Sequence, residues 1–268
     1  MNNRYDKTFE KLKKNNQAAF VPFVTLCDPN YEQSLKIVRC LIENGADVLE
    51  LGLPFSDPIA DGPAIQKASI RALNSGSTTS KCFEITTQIR KEFPDIPIGL
   101  LVYSNLVVSG GIEEFYQQAN QAGIDSVLIA DVPVIESDPF IKAADKNNVC
   151  PIFIATPNAD DSTLKQVAKR GKGYTYLLSR AGVTGTDVKV EMPLNNIISK
   201  LRKFSAPPSL LGFGISNEDQ VKQAVASGVD GVISGSAVVK IIQDNLADSK
   251  HMLLELGKFI ARMKKATE

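Results

Sequence analysis

Eight short apolar runs recur along the chain, and segments with helical periodicity lie between them. The runs are AFVPFVTL (19–26), DVLELGL (47–53), IGLLVY (98–103), SVLIAD (126–131), CPIFIA (150–155), GYTYLLS (173–179), SLLGFG (209–214) and GVISGSA (231–237). Among the intervening segments, YEQSLKIVRCLIENG (31–45) puts Leu35, Val38 and Ile42 on one helical face. IEEFYQQANQAG (112–123), STLKQVAKRG (162–171) and NEDQVKQAVASG (217–228) read the same way and end in glycine, the residue expected just past a helix C-terminus. Strands alternating with helices imply parallel βαβ units, because parallel strands need a crossover connection. Eight such units in 268 residues are the count of a closed (β/α)₈ barrel. An open doubly wound sheet usually starts with a Gly-rich turn after its first strand. Here the first run leads into LCDPN, which has no glycine. No linker of low complexity divides the chain, so residues 1–268 read as a single barrel domain.

Composition narrows the function. Thirty basic and thirty acidic residues balance to zero net charge, which removes the electrostatic case for a nucleic-acid surface. No apolar run approaches the length of a membrane span. The N-terminal MNNRYDKTFEKLKKNN lacks a secretory core and reads as an extra amphipathic helix, with Tyr5, Phe9 and Leu12 on one face. Cys27, Cys40, Cys82 and Cys150 are scattered, which fits reduced thiols in a cytoplasmic protein better than a disulfide framework or zinc site. The single histidine, His251, leaves no basis for a histidine triad or a histidine metal cluster.

Glu50 is the residue that breaks the apolar pattern. A strand buried on both faces is normally a continuous run of Val, Ile and Leu. In LELGL the alternation sends Leu49, Leu51 and Leu53 toward the helices and Glu50 into the barrel, near the C-terminal mouth where barrel active sites lie. Asp61 follows in the loop after the same strand, and two carboxylates near one mouth suit general acid–base work. The alternative is a structural ion pair, but the strands offer no evident inward Lys or Arg.

LLGFGIS and GVISGSAVVK end the last two strands, where such barrels commonly hold phosphate with backbone N–H groups and a helix N-terminus. Gly212, Gly214 and Gly235 allow close backbone approach, and Ser236 adds a hydroxyl; glycines at strand ends also serve tight turns alone. The loop SRAGVTGTDVKVE (179–191) has the composition of a lid that closes over substrate, or of a merely solvated loop.

These segments together resemble the tryptophan synthase alpha-subunit family over nearly the whole chain. The resemblance is carried by FVPFVTLCDP (20–29), ELGLPFSDPIADGPAIQ (50–66), IGLLVYSN (98–105), DSVLIADVP (125–133), YLLSRAGVTG (176–185), GFGIS (212–216) and SGSAVVKII (234–242). It implies retro-aldol cleavage of indole-3-glycerol phosphate to indole and glyceraldehyde 3-phosphate, with indole passed on for L-tryptophan synthesis. By motif position, Glu50 is the general acid/base, Asp61 holds the indole nitrogen and Tyr176 lines the site. Gly185, Gly214, Gly235 and Ser236 surround the phosphate, and Phe23, Leu101, Leu128, Ile154, Thr184 and Phe213 form the apolar wall around the indole. Cys27 stands where the family pattern leads one to expect glycine.

The chemistry suits those residue types. Protonating the indole ring at its substituted carbon provides the electron sink, and a desolvated Glu50 with a raised pKa can deliver that proton. Glu50 or a neighbouring water then receives the glycerol hydroxyl proton. An ionised Asp61 stabilises the positive nitrogen and helps remove its proton. The strands contain no lysine for a Schiff base. The resemblance further implies a beta-subunit partner in an α₂β₂ complex, and pyridoxal phosphate belongs to that partner, with no cofactor in this chain. Asp57, Pro58, Asn105 and Pro133 are expected at the interface. Two rivals remain: another phosphosugar barrel enzyme such as an epimerase or isomerase, and a regulatory binding subunit that activates the partner without turnover.

Overall fold

All eight apolar runs form parallel strands in a computed structural model that describes residues 3–178, 194–212 and 214–268. In chain order they are β1 (Ala19–Thr25), β2 (Leu49–Gly52), β3 (Ile98–Val102), β4 (Ser126–Ile129), β5 (Cys150–Ala155), β6 (Thr175–Leu178), β7 (Ser209–Gly212) and β8 (Gly231–Ser234). Each pairs with the next, and β8 pairs back onto β1 through Ala19–Gly231 to Pro22–Ser234, which closes the barrel and leaves no sheet edge.

Around the strands lie α2 (Tyr31–Glu43), α3 (Pro63–Asn74), α4 (Thr79–Glu92), α5 (Ser104–Val108), α6 (Ile112–Gln121), α7 (Asp138–Lys146), α8 (Asp161–Arg170), α9 (Leu194–Lys203), α10 (Glu218–Ala226), α11 (Ser236–Asp244) and α12 (Ser249–Lys265). Local chemistry sets their starts. The side chains of Asn30, Thr78, Asp160 and Asn217 each accept from a backbone N–H in the first turn of the helix they precede. Gly45, Gly123 and Gly228 follow their helices in the left-handed region, as the sequence suggests. Gly171 differs: it caps α8 with φ −73°, an ordinary extended geometry. The GVISGSA run is also shorter as a strand than it reads, because Ser236 and Ala237 already belong to α11.

Alternation along the strands sorts the side chains into two sets. Leu49, Leu51 and Leu53 pack outward among the helices, whereas Val21, Phe23, Val48, Leu128, Ile152, Tyr176, Leu210 and Ile233 fill the barrel. The N-terminal helix α1 (Arg4–Lys14) packs Tyr5, Phe9 and Leu12 with this inner set. Tyr5 is fully buried and its hydroxyl lies 2.7 Å from Ser126 Oγ, so α1 plugs the N-terminal end of the barrel.

An ion cluster around the buried Asp125 carboxylate fixes that plug. Asp125, just before β4, pairs with Arg4 of α1 at 2.8 Å and with Arg90 of α4 at 2.6 Å, and also accepts from the Ile98 amide at 2.8 Å. One carboxylate therefore joins α1, α4 and the starts of β3 and β4. Asp125→Ala takes the carboxylate from the largely buried Arg90 guanidinium, which keeps only backbone carbonyl acceptors, and is expected to cost about 3 kcal/mol of stability. Urea unfolding followed by circular dichroism reads this as a lower midpoint; an unchanged midpoint would show that the cluster holds nothing together.

Candidate active site

Strand register places Glu50 between Phe23 on β1 and Gly99 on β3. It points inward, as alternation requires, but sits deeper than the mouth position expected from sequence. Its side chain is 1% exposed, and Oε1 accepts a 2.7 Å hydrogen bond from the phenol of Tyr174, the residue just before β6. Tyr174 packs in turn on Tyr5, with ring centroids 5.6 Å apart. Among the described residues, no Lys or Arg forms an ion pair with Glu50. Burial therefore acts without a compensating cation and raises the Glu50 pKa to about 7, the Tyr174 hydrogen bond pulling the other way. Among the described residues nothing supplies the structural ion pair that would otherwise account for a carboxyl in the strand.

Asp61 lies higher, in the loop between β2 and α3, and is 8% exposed. Desolvation raises its pKa to about 6, opposed by a hydrogen bond from the Tyr103 side chain. The Tyr103 oxygen also accepts from the Ala60 amide at 3.0 Å, and its ring stacks on Phe55 at 5.2 Å. Tyr103 thus ties the Asp61 loop to the end of β3. Near neutral pH the two carboxyls differ: Asp61 is mostly ionised, and Glu50 is balanced between its two forms.

Both carboxyls line one cavity of about 780 Å³. Phe23, Leu101, Leu128, Ile154 and Tyr176 line it as the sequence suggests, and so do Gly214, Gly235 and Ser236 at its other end. Ile65, Ile152 and Ile233 extend the apolar wall, and the sequence reading missed them. Thr184, Gly185 and Phe213, along with the expected lid at 179–191, lie outside the described residues.

The β7–β8 end is built from backbone. Gly214 has φ 74°, which suits glycine, and open space where a Cβ would stand. Gly212 is required for packing, because a Cβ there would come within 2.3 Å of the Tyr176 hydroxyl. Ser234 Oγ donates to the Ile215 carbonyl at 2.7 Å and so ties the end of β8 to the loop after β7. Gly235 and Ser236 open α11 at the same place. No Lys or Arg lines the cavity among the described residues, so an anion there meets N–H dipoles, a hydroxyl and the N-terminus of a helix.

Of the expected interface residues, Asp57, Asn105 and Pro133 are exposed and Pro58 is half-buried. Pro133 also borders the cavity. Ile59, Val108 and Ile135 are exposed on the loops and the short helix that follow β2, β3 and β4, and the sequence reading did not single them out. Tyr174 and Tyr103 escaped it too: each sits at a strand end with nothing local to mark a bond to a carboxyl 124 or 42 positions away.

Comparison with known proteins agrees with this geometry. The sequence profile described as "Tryptophan synthase alpha chain" matches residues 9–268. The chain is 61% identical over 265 residues to the tryptophan synthase alpha chain of Vibrio vulnificus strain YJ016, covering 99% of each. It is 57% identical over 264 residues to that of Escherichia coli strain SMS-3-5, covering 98% of each. The crystal structure of tryptophan synthase subunit alpha from Legionella pneumophila superposes with a TM-score of 0.89 at 32% identity, over 99% of this chain and 98% of that one. A chain of the tryptophan synthase α₂β₂ complex from Pyrococcus furiosus gives 0.81 at 29% identity, over 92% and 98%. By its full-length match, its closed barrel and its paired carboxyls, this chain belongs to the tryptophan synthase alpha chain family.

Proposed function

We propose that Glu50 and Asp61 carry the acid–base steps by which this alpha chain cleaves indole-3-glycerol phosphate to indole and glyceraldehyde 3-phosphate. The observation that carries this reading is a buried Glu50 carboxyl, with a pKa of about 7, facing an apolar cavity. Such a group holds a proton at neutral pH and readily gives it up.

The indole ring fits against Phe23, Leu101, Leu128, Ile154 and Tyr176, and the phosphate at Gly214, Gly235 and Ser236. Protonated Glu50 delivers its proton to the substituted ring carbon and makes the ring an iminium cation. The ionised Asp61 faces the ring nitrogen and stabilises that charge. Glu50, now a carboxylate, takes the proton of the adjacent glycerol hydroxyl. The carbon–carbon bond breaks as the aldehyde forms, and its electron pair flows into the ring and quenches the iminium. Glu50 ends protonated, ready for another cycle. Phosphate binding, remote from the breaking bond, supplies energy for positioning.

The apolar wall favours an aromatic substrate over the sugar phosphate of an epimerase. A buried carboxyl with no ion-pair partner among the described residues is unnecessary for a purely regulatory subunit. The exposed rim with Asp57, Pro58, Asn105 and Pro133, joined by Ile59, Val108 and Ile135, is the face proposed for the beta subunit. The reaction needs no cofactor in this chain; pyridoxal phosphate belongs to the beta subunit. No helix among the described residues is long and apolar enough to cross a membrane. We place the protein in the cytoplasm, consistent with its four free thiols.

Indole release from indole-3-glycerol phosphate, measured with and without a beta subunit, tests the reading. Glu50→Gln or Asp61→Asn is expected to lower kcat by roughly 10²–10⁴-fold with the fold intact; substantial turnover in either would sink the mechanism. The pH profile of kcat/KM is expected to rise through about 6 as Asp61 ionises and fall through about 7 as Glu50 loses its proton. The Tyr174 phenol favours the Glu50 carboxylate, so Tyr174→Phe raises the Glu50 pKa and moves the alkaline limb upward. A limb that stays in place would show that this hydrogen bond does not tune Glu50.

A further inference from the structure

Cys27, just beyond β1, has a backbone φ of 62°, in the left-handed region that suits glycine and disfavours any side chain. Its amide donates to Ser34 Oγ at 2.9 Å, which fixes the backbone in that state. Held this way, its thiol lies 3.8 Å from that of Cys82 in the first turns of α4, 55 positions along the chain. Both residues are buried, at 1% and 0% exposure. The other two cysteines bond to nitrogen or oxygen groups: Cys40 donates to the Leu253 carbonyl at 3.3 Å, and Cys150 accepts from the Asn3 side-chain amide at 3.8 Å. All four are free thiols.

We propose that Cys27 and Cys82 form a redox-active pair, which a small peroxide converts into an intramolecular disulfide tying the end of β1 to the start of α4. Joining the sulfurs needs an approach of roughly 1.8 Å, from 3.8 Å to the bond length of a disulfide. Cys27 is the attacking sulfur. Its thiolate is favoured by the hydrogen bond from Cys82, against the opposing effect of burial, and further by the nearby Lys81 cation, whereas the Cys82 thiol is held protonated by the same bond and by burial. The Cys27 thiolate attacks one peroxide oxygen and the O–O bond breaks, giving a sulfenic acid and hydroxide. The Cys82 thiol then displaces the hydroxyl group. Its proton leaves with that group as water, and the S–S bond forms. Each sulfur gives up one electron and hydrogen peroxide takes both; the hydroxide released first takes the proton that Cys27 lost on ionising, so the peroxide ends as two waters.

The bond would act beside an existing joint. Asp28, the next residue, is paired through both carboxylate oxygens with Arg71 of α3, at 2.7 Å each. A disulfide at Cys27 would thus fasten three elements, β1, α3 and α4, at one point on the outside of the barrel, without touching the cavity.

The test treats the full chain with stoichiometric hydrogen peroxide, then alkylates remaining thiols under denaturing conditions and maps the peptides by mass spectrometry. Two of four thiols should be lost, with a peptide pair joining Cys27 to Cys82 that dithiothreitol reverses. The Tm of the oxidised chain should rise by roughly 5 °C. Cys27→Gly fits the local φ and should leave Cys82 fully alkylatable after peroxide. In Cys82→Ser, oxidation should stop at a sulfenic acid on Cys27 that dimedone traps. Recovery of four alkylated thiols, first oxidation at Cys40 or Cys150, or a Cys27 oxidised without joining Cys82 would each overturn the proposal.

Discussion

The site depends on one unfavourable placement, a carboxyl inside a barrel that no cation among the described residues meets. Desolvation of Glu50 costs stability in proportion to its charge, and the protein meets that cost by shifting the pKa toward neutrality instead of supplying an Arg or Lys. A cation would lower the pKa and leave a fixed carboxylate unable to give a proton. Among the described residues its hydrogen-bond partner is a neutral phenol, Tyr174, which holds the side chain without taking over its protonation equilibrium. The support runs downward from there, through Tyr174 against Tyr5 and Tyr5 against Ser126, to the α1 plug locked by Asp125 and its two arginines. The plug at one end of the barrel thus supports the buried carboxyl proposed for acid–base work.

The same barrel divides its work by position. Its inner side chains are apolar where a ring would lie, and the ends of β7 and β8 present backbone dipoles where an anion would lie. Neutral donors grip an anion without placing a full positive charge in the cavity, and such a charge would pull both carboxyl pKa values down. Asp61, higher and less buried than Glu50, keeps the lower pKa of about 6. Two carboxyls on one stretch of chain thus hold their protons to different extents near neutral pH because the barrel buries them to different depths.

Much of this was legible in the sequence. Alternation in LELGL was enough to turn Glu50 inward, and Gly214 and Gly235 at the ends of the last two strands marked where backbone lines the cavity. Parity, however, gives a face and not a depth, so Glu50 reads as a mouth residue when its carboxyl in fact reaches Tyr174 before β6. The two tyrosines that hold the carboxyls, and Asp125 with its arginines, are joined by contacts between distant parts of the chain, which no local period encodes. Cys27 stood out as a departure from the expected glycine, but its nearness to Cys82 emerges only once β1 and α4 are packed together. Boundaries moved for a local reason: GVISGSA loses its last residues because Ser236 is better used to start a helix.

The most direct test is the ionisation of Glu50 itself. Carbon-13 NMR of chain carrying labelled glutamate, with the Glu50 carboxyl assigned by its absence in Glu50→Gln, follows one group through pH. A midpoint near 7 would establish that the barrel interior makes this carboxyl a proton donor at neutral pH. A midpoint near the ordinary value of 4.5 would mean that Glu50 is a carboxylate under working conditions and that the proton comes from elsewhere.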